Sequence, residues 1–248
     1  MENNELLRRA EDLRERCERS GTVTMTGFLT PAESYHIEAW ARHTPDCQIL
    51  FSGGGQDCER TVAFFLPYYM EREDLDLAEY ICAIRLTAHF GAPGHRDYLG
   101  AVLGMGIKRE WIGDIRVRDS TAHIFCLPSV QRHLLTIEKV GRCGVKAEAV
   151  ALADVPEPVR QVKNLSFFVM SMRLDAVTGG MFNLSRTEAA KQITAGNVSL
   201  NYEPCLKTDA AVRQGDILSL RGAGKGSVTG TGGTSRKGRL FVYAEVYK

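Results

Sequence analysis

No run of apolar residues in this chain approaches the roughly 18 that a membrane-spanning helix requires, so no membrane partner is expected. The opening Met1-Glu2-Asn3-Asn4-Glu5 has neither the basic start nor the apolar core of a secretion signal, which makes the cytoplasm the expected compartment. There is no Cys-x-x-Cys pair. The seven cysteines, Cys17, Cys47, Cys58, Cys82, Cys126, Cys143 and Cys205, are scattered and odd in number, the pattern of reduced thiols. The six histidines form no His-x-x-x-His or Cys/His cluster with ligand spacing, so neither a metal nor another cofactor is expected. Charge of one sign is not in excess either: 31 Lys+Arg stand against 30 Asp+Glu, and a net +1 taken whole speaks against a polyanionic partner.

What is present changes that last reading. A length of 248 residues suggests two or three domains, and 44% hydrophobic with 25% charged residues is ordinary globular composition. Divided by segment, the charge is −8 over residues 1–79, +4 over 80–170 and +5 over 171–248. An acidic first domain followed by a basic remainder is compatible with nucleic-acid contact through that remainder. It also leaves the acidic domain as a possible protein-binding surface.

The pattern along the chain predicts an α+β protein. Residues 1–45 read as helices: Leu6, Leu7, Ala10 and Leu13 recur at helical spacing, and Thr30, Pro31 and Glu33 form a capping box for a second helix with Ile37 and Trp40 on its buried side. Apolar runs at 48–51 and 61–66 flank Gly53-Gly54-Gly55, a strand hairpin rather than a phosphate loop, because no Gly-Lys-Ser/Thr follows. From residue 80 the expected order is strand 81–90, helix 97–103, strands 112–117 and 122–127, helix 130–140 and strand 145–151. That is the split βαβ arrangement of ferredoxin-like and RNA-recognition modules. Phe125 and Phe90 are the aromatics its central strands offer for base stacking. His95, Arg96, Lys108 and Arg109 fall at the two ends of a short Gly-punctuated helix, where phosphate contact and solvated helix ends are the two readings. Pro156-Glu157-Pro158 marks a domain boundary within 152–170.

Beyond it, Arg173-Leu174-Asp175 opens a helix and Ser185-Arg186-Thr187-Glu188 is a capping box for a second. Ala189, Ala190 and Ile193 share one face of that second helix, and Thr187 and Lys191 another. Gly196-Asn197 closes it. Small strands follow, with a turn at Asn201-Tyr202. A glycine-rich stretch from Gly222 to Arg239 reads as a loop whose glycines allow close backbone approach while Lys225, Arg236, Lys237 and Arg239 neutralise phosphate, or as a flexible hairpin closing onto Leu240-Phe241-Val242-Tyr243, two readings that are compatible.

Arg173-Leu174-Asp175, Ser185-Arg186-x-x-Ala189-x-x-x-Ile193-x-x-Gly196-x-Val198-x-x-Asn201 and Val212-x-x-Gly215-Asp216-x-Leu218-Ser219 resemble the RNA-binding module named for ribosomal protein S-four. With the Tyr98-Leu99-Gly100 to Asp114-Ile115 stretch upstream, nearly the whole chain resembles the bacterial YlmH family. The resemblance implies three domains: an acidic α+β domain over 1–79, a ferredoxin-like RNA-recognition-like domain over 80–165 and an S-four-type module over 171–248. It further implies a cytoplasmic, ribosome-associated protein that binds large-subunit ribosomal RNA and tRNA and is linked to quality control of stalled nascent chains; a monomer is expected. Carried over to this sequence, Arg173, Ser185, Arg186, Thr187, Lys191 and Asn201 are the expected RNA contacts, joined by Arg221, Lys225, Arg236, Lys237 and Arg239. Gln192, Thr194 and Tyr202 depart from the module's usual leucine, basic residue and glycine.

A rival reading comes from the same stretch. Arg173-Leu174-Asp175-x-x-Thr178-x-Gly180 also resembles the motif that carries the catalytic aspartate of pseudouridine synthases. Too few residues follow Asp175 to build such a catalytic domain, so Asp175 is expected to tether the first helix of the module and no catalysis is expected.

Overall fold

Leu6, Leu7, Ala10, Leu13 and Cys17 place one apolar stripe on α1 (Glu2–Ser20), and burying that stripe against a small sheet starts the fold. The computed structural model describes residues 2–158, 162–235 and 237–247, and the chain divides into two compact units, 1–158 and 159–248. In the first, α1 is followed by β1 (Thr24–Leu29), α2 (Pro31–Ala41), β2 (Ile49–Ser52) and β3 (Thr61–Phe65), the strands forming an antiparallel sheet of order β1-β3-β2. The capping box is in place: Glu33 N–H donates to Thr30 Oγ1 at 3.3 Å, and Thr30 N–H donates to Glu33 Oε2 at 2.6 Å. Residues 24–29 correct the all-helical expectation for 1–45. Thr24 and Thr26 suit a strand, and their hydroxyls bridge it to its neighbours, Thr24 donating to Leu13 O and Thr26 accepting from Ala63 N–H.

The sheet is covered on both faces. Ala63 and Phe65 meet the two helices, while Val62 and Phe64 turn the other way with Phe28. This explains why Val62–Phe65 are all buried and read as a continuous apolar run.

The second part of this unit runs β4 (Cys82–Ala88), α3 (His95–Gly104), β5 (Ile112–Arg118), β6 (Thr121–Cys126), α4 (Pro128–Leu134), β7 (Lys139–Val140) and β8 (Cys143–Val150). Its strands form one antiparallel sheet of order β5-β6-β4-β8-β7, with β4 and β6 central as the split βαβ pattern requires. The expected helix 130–140 is shorter. It stops at Leu134, and Lys139–Val140 pair back onto β8 through a turn at Gly141, whose φ of 58° suits glycine. Ile84, Leu86, Ile124 and Cys126 face α3 and α4, where Tyr98, Val102, Val130 and Leu134 are buried. Ala83 and Phe125 point to the opposite face and join Phe28, Val62 and Phe64 in a separate core.

The second unit contains β9 (Val162–Val169), α5 (Leu174–Phe182), α6 (Arg186–Thr194), β10 (Val198–Leu200), β11 (Glu203–Pro204), β12 (Ile217–Leu220), β13 (Gly224–Thr234) and β14 (Leu240–Tyr247). They build a six-stranded antiparallel sheet of order β11-β10-β12-β13-β14-β9. Helix α5 lies against it, and Gly180 makes this possible: a Cβ there would fall 2.1 Å from Phe167 Cδ2. The glycine-rich stretch is not a loop. Residues 224–234 are strand, paired on one side to β12 and on the other to β14, with bulges near Thr229 and between Thr231 and Thr234.

Candidate nucleic-acid interface

Asp175 organises the two-helix end of the second unit. Its carboxylate is only 7% exposed and accepts from Arg173 at 3.3 and 3.2 Å and from Arg186 Nε at 3.1 Å. Burial pushes its pKa up, but the two guanidinium partners outweigh this and hold it below the usual carboxylate range. The arginines remain open, with side chains 38% and 57% exposed for Arg173 and Arg186. A buried anion thus orients two cations whose outer faces still reach solvent.

Ser185 caps α6 by accepting from Glu188 N–H at 3.2 Å, one bond of the expected capping box. Ala189 and Ile193 are buried, while Thr187 and Lys191 are exposed on the outer side, as the spacing predicts. The departures acquire reasons. Gln192 Oε1 accepts from Asn197 Nδ2 at 2.8 Å, tying the end of α6, and the Thr194 hydroxyl bonds back to the carbonyls of Ala190 and Lys191. Asn201 and Tyr202 both have positive φ, 50° and 70°, so the two residues between Leu200 and Glu203 make a primed hairpin turn with tyrosine where glycine is usual.

Asn201 is committed inside the unit, donating to Asp216 Oδ1 at 2.9 Å and accepting from Ile217 N–H at 2.9 Å. The structure assigns it to shaping the turn. The expected basic cluster around a glycine loop is divided in two by β13. Arg221 is exposed beside the end of α6, its N–H on Asn197 O at 2.9 Å, and Lys225 lies 6.0 Å from the Tyr202 ring. Lys237 and Arg239 are exposed in the turn at the far end of the 11-residue strand, roughly 35 Å away by strand rise. Arg236 lies outside the described residues. Arg239 and Arg186 line a common groove of about 220 Å³ with Val169, Met170, Gly180 and Leu184. No spacing in the sequence announced that groove, because it joins residues 53 positions apart.

In the first unit the four expected contacts do not converge. His95 and Arg96 are exposed at the start of α3, while Lys108 and Arg109 follow its other end, roughly 15 Å along. Asp97 caps this helix, accepting from Gly94 N–H at 2.8 Å. Lys108 sits 5.4 Å from the Trp111 ring. Arg109 is turned inward, donating to Ile112 O at 2.6 Å and Gly113 O at 3.1 Å, and burial together with Arg60 lowers its pKa to about 10. Its half-buried guanidinium clasps the backbone of Ile112 and Gly113.

Phe125 is likewise withdrawn. It is 0% exposed, and Gly54 and Gly55 of the β2–β3 loop lie on its ring so closely that a Cβ would come within 3.0 and 2.9 Å. Arg116 covers the ring from 5.0 Å and donates to the carbonyls of Gln56 and Pro156. Phe90 is 61% exposed but lies beyond the end of β4.

Comparison with known proteins decides the family. A model described as "Putative RNA-binding domain in YlmH" matches residues 71–154. The chain is 30% identical over 227 residues, 91% of its length and 88% of the relative's, to "Ribosome-associated protein quality control protein P2" of Bacillus subtilis (strain 168). The chain belongs to the YlmH family. The solved "Cell division protein ylmH from Streptococcus pneumoniae" has the same fold at 20% identity, with a TM-score of 0.54 over 62% of this chain and 94% of that one. The YlmH RNA-binding model therefore falls on the split βαβ sheet, while the residues expected to touch RNA concentrate in the second unit. Among the described residues no helix is long and apolar enough to cross a membrane.

Proposed function

We propose that this YlmH-family chain is a non-catalytic RNA-binding protein that attaches to the large ribosomal subunit and takes part in quality control of stalled nascent chains in the cytoplasm. Its targets are ribosomal RNA and peptidyl-tRNA, and its main anchor is the α5–α6 end of the second unit. The observation that carries this is the buried Asp175 holding Arg173 and Arg186 with their outer faces open, beside the exposed Lys191 on the same helix as Arg186. Pre-oriented guanidiniums lose little freedom on meeting a phosphate, and counterion release supplies the free energy. The relative's name, ribosome-associated quality control, supports the same reading.

Reversing Arg186 and Lys191 together to Glu is expected to abolish cosedimentation with large subunits, and wild-type binding is expected to weaken steeply with salt. A double variant that still pellets with the subunit removes α6 as the anchor. The Asp175 contacts also support tethering over catalysis, since the carboxylate is already shared by two arginines. Pseudouridine formed in ribosomal RNA or tRNA by the wild type and lost in Asp175→Asn would overturn that assignment.

A further inference from the structure

Phe168, Phe241 and Tyr243 form a row of rings on the outer face of the second unit's sheet. Strand alternation sends Val169, Val242 and Ala244 into the core and these three the other way, and the β9–β14 register sets Phe168 directly opposite Phe241. The ring centroids are 4.8 Å apart for Phe168 and Phe241 and 4.9 Å apart for Phe241 and Tyr243. Phe168 is 52% and Tyr243 46% exposed, a large aromatic area for a surface that, among the described residues, no second layer of its unit covers.

The strand beside the rings is shaped for them. A Cβ on Gly232 would come 3.2 Å from Phe241 Cδ1 and 3.3 Å from Tyr243 Cε2, and Gly230 stands opposite Tyr243 in the register. Glycine thus leaves the rings free to lie over the strand. Around them the face has hydrogen-bonding side chains: Ser166 pairs in register with Tyr243, and Asn164 with Glu245, the one acid in these three strands. Exposed Lys237 and Arg239 stand in the turn at one end. Half-exposed rings packed tilted or edge to face on one another, amide and hydroxyl groups beside them and cations at the border match the chemistry of an unpaired nucleic-acid strand.

We propose that this face is a stacking platform for about two or three unpaired RNA nucleotides, with bases on Phe168, Phe241 and Tyr243 and the backbone drawn toward Lys237 and Arg239. It rests on the RNA-binding reading above and extends it from the groove that Phe168 and Arg239 line together with Arg186 onto the aromatic row. The test uses the full chain with two fluorescent probes, a short oligouridine and an RNA duplex, followed by anisotropy. Phe168→Ala and Tyr243→Ala are each expected to weaken oligouridine binding by about tenfold, with Tyr243→Phe close to wild type and duplex binding unchanged. Arg186→Glu with Lys191→Glu is expected to do the converse, losing the duplex first.

Photocrosslinking of wild-type protein to a thiouridine-containing oligonucleotide provides a readout independent of any variant, with adducts expected in residues 162–169 and 240–247. Ring variants that bind oligouridine like wild type, or crosslinks elsewhere, overturn the platform while leaving α6 binding of duplex intact. Binding of neither probe by the wild type overturns both. A dimer that Tyr243→Arg dissociates, in a protein that ignores oligouridine, gives the face to a second copy instead.

Discussion

The two units each have an antiparallel sheet with an aromatic residue on the face turned away from its helices, and the two faces have opposite fates. Phe125 on central strand β6 is sealed under Gly54, Gly55, Phe28 and Arg116, whereas Phe168, Phe241 and Tyr243 on β9 and β14 are open. The closed face belongs to the sheet whose topology matches RNA-recognition modules, and the open one to a sheet with a different strand order. Topology alone therefore does not say where bases stack. An aromatic on a strand is core when another layer is supplied and surface when it is not, and glycines serve either outcome. In the first unit they form a lid pressed on a ring. In the second, Gly232 leaves room for the rings beside it.

The strongest way to break this comparison is to exchange the expected roles of the rings. Phe125→Ala is expected to cost about 4 kcal/mol of stability in the first unit, read by urea unfolding, and to leave the RNA affinity of the folded protein unchanged. Phe168→Ala is expected to cost under about 1 kcal/mol, since its ring is half exposed already. Normal stability with lost RNA affinity in Phe125→Ala would show that the first sheet's ring is used after all.

A second measurement sharpens the contrast at the charged end. Asp175→Ala leaves Arg173 and Arg186 facing each other without their shared anion and is expected to cost about 2 kcal/mol. Because the folded carboxyl titrates below its unfolded value, its contribution is present above about pH 4 and is lost as pH falls through the lower folded value. The acid dependence of the unfolding midpoint should flatten in Asp175→Asn; an unchanged slope would mean the arginines do not hold the carboxylate.

The smallest effect separates lid from floor. Gly55→Ala puts a methyl 2.9 Å from Cζ of the fully buried Phe125 ring and is expected to cost about 1 to 2 kcal/mol. Gly232→Ala meets rings that can move outward, so its expected cost is within about 0.5 kcal/mol. Equal losses in thermal unfolding would erase the distinction between the two glycines.

Much of this architecture was readable from local pattern. The capping residues Thr30 and Ser185, the buried Ala189 and Ile193 and, apart from the short β7, the order of strands and helices from 82 to 150 all follow from short-range chemistry. Strand β1 was missed because a six-residue strand between two helices carries little periodicity of its own. The hairpin reading of the glycine stretch holds and the open-loop reading does not: glycine disfavours strand by propensity, but residues 225–227 pair on both sides and the stretch from Val228 to Thr234 continues against β14. Arg109 was expected as a contact because it is a basic residue beyond the end of a short helix, and Asn201 because of the family resemblance. Their inward bonds go to partners that sequence spacing does not single out as contacts.

Sequence alone determined the capped starts of α2 and α6, the buried face of α6 and the acidic-to-basic gradient along the chain. These depend on neighbours within a turn or two, or on composition. Only the tertiary structure decided which ring is covered, which arginine is an internal clasp and that Arg186 shares a groove with Arg239. Burial and ion pairing depend on what distant segments bring to the same place, and an aromatic or arginine residue takes its role from that company.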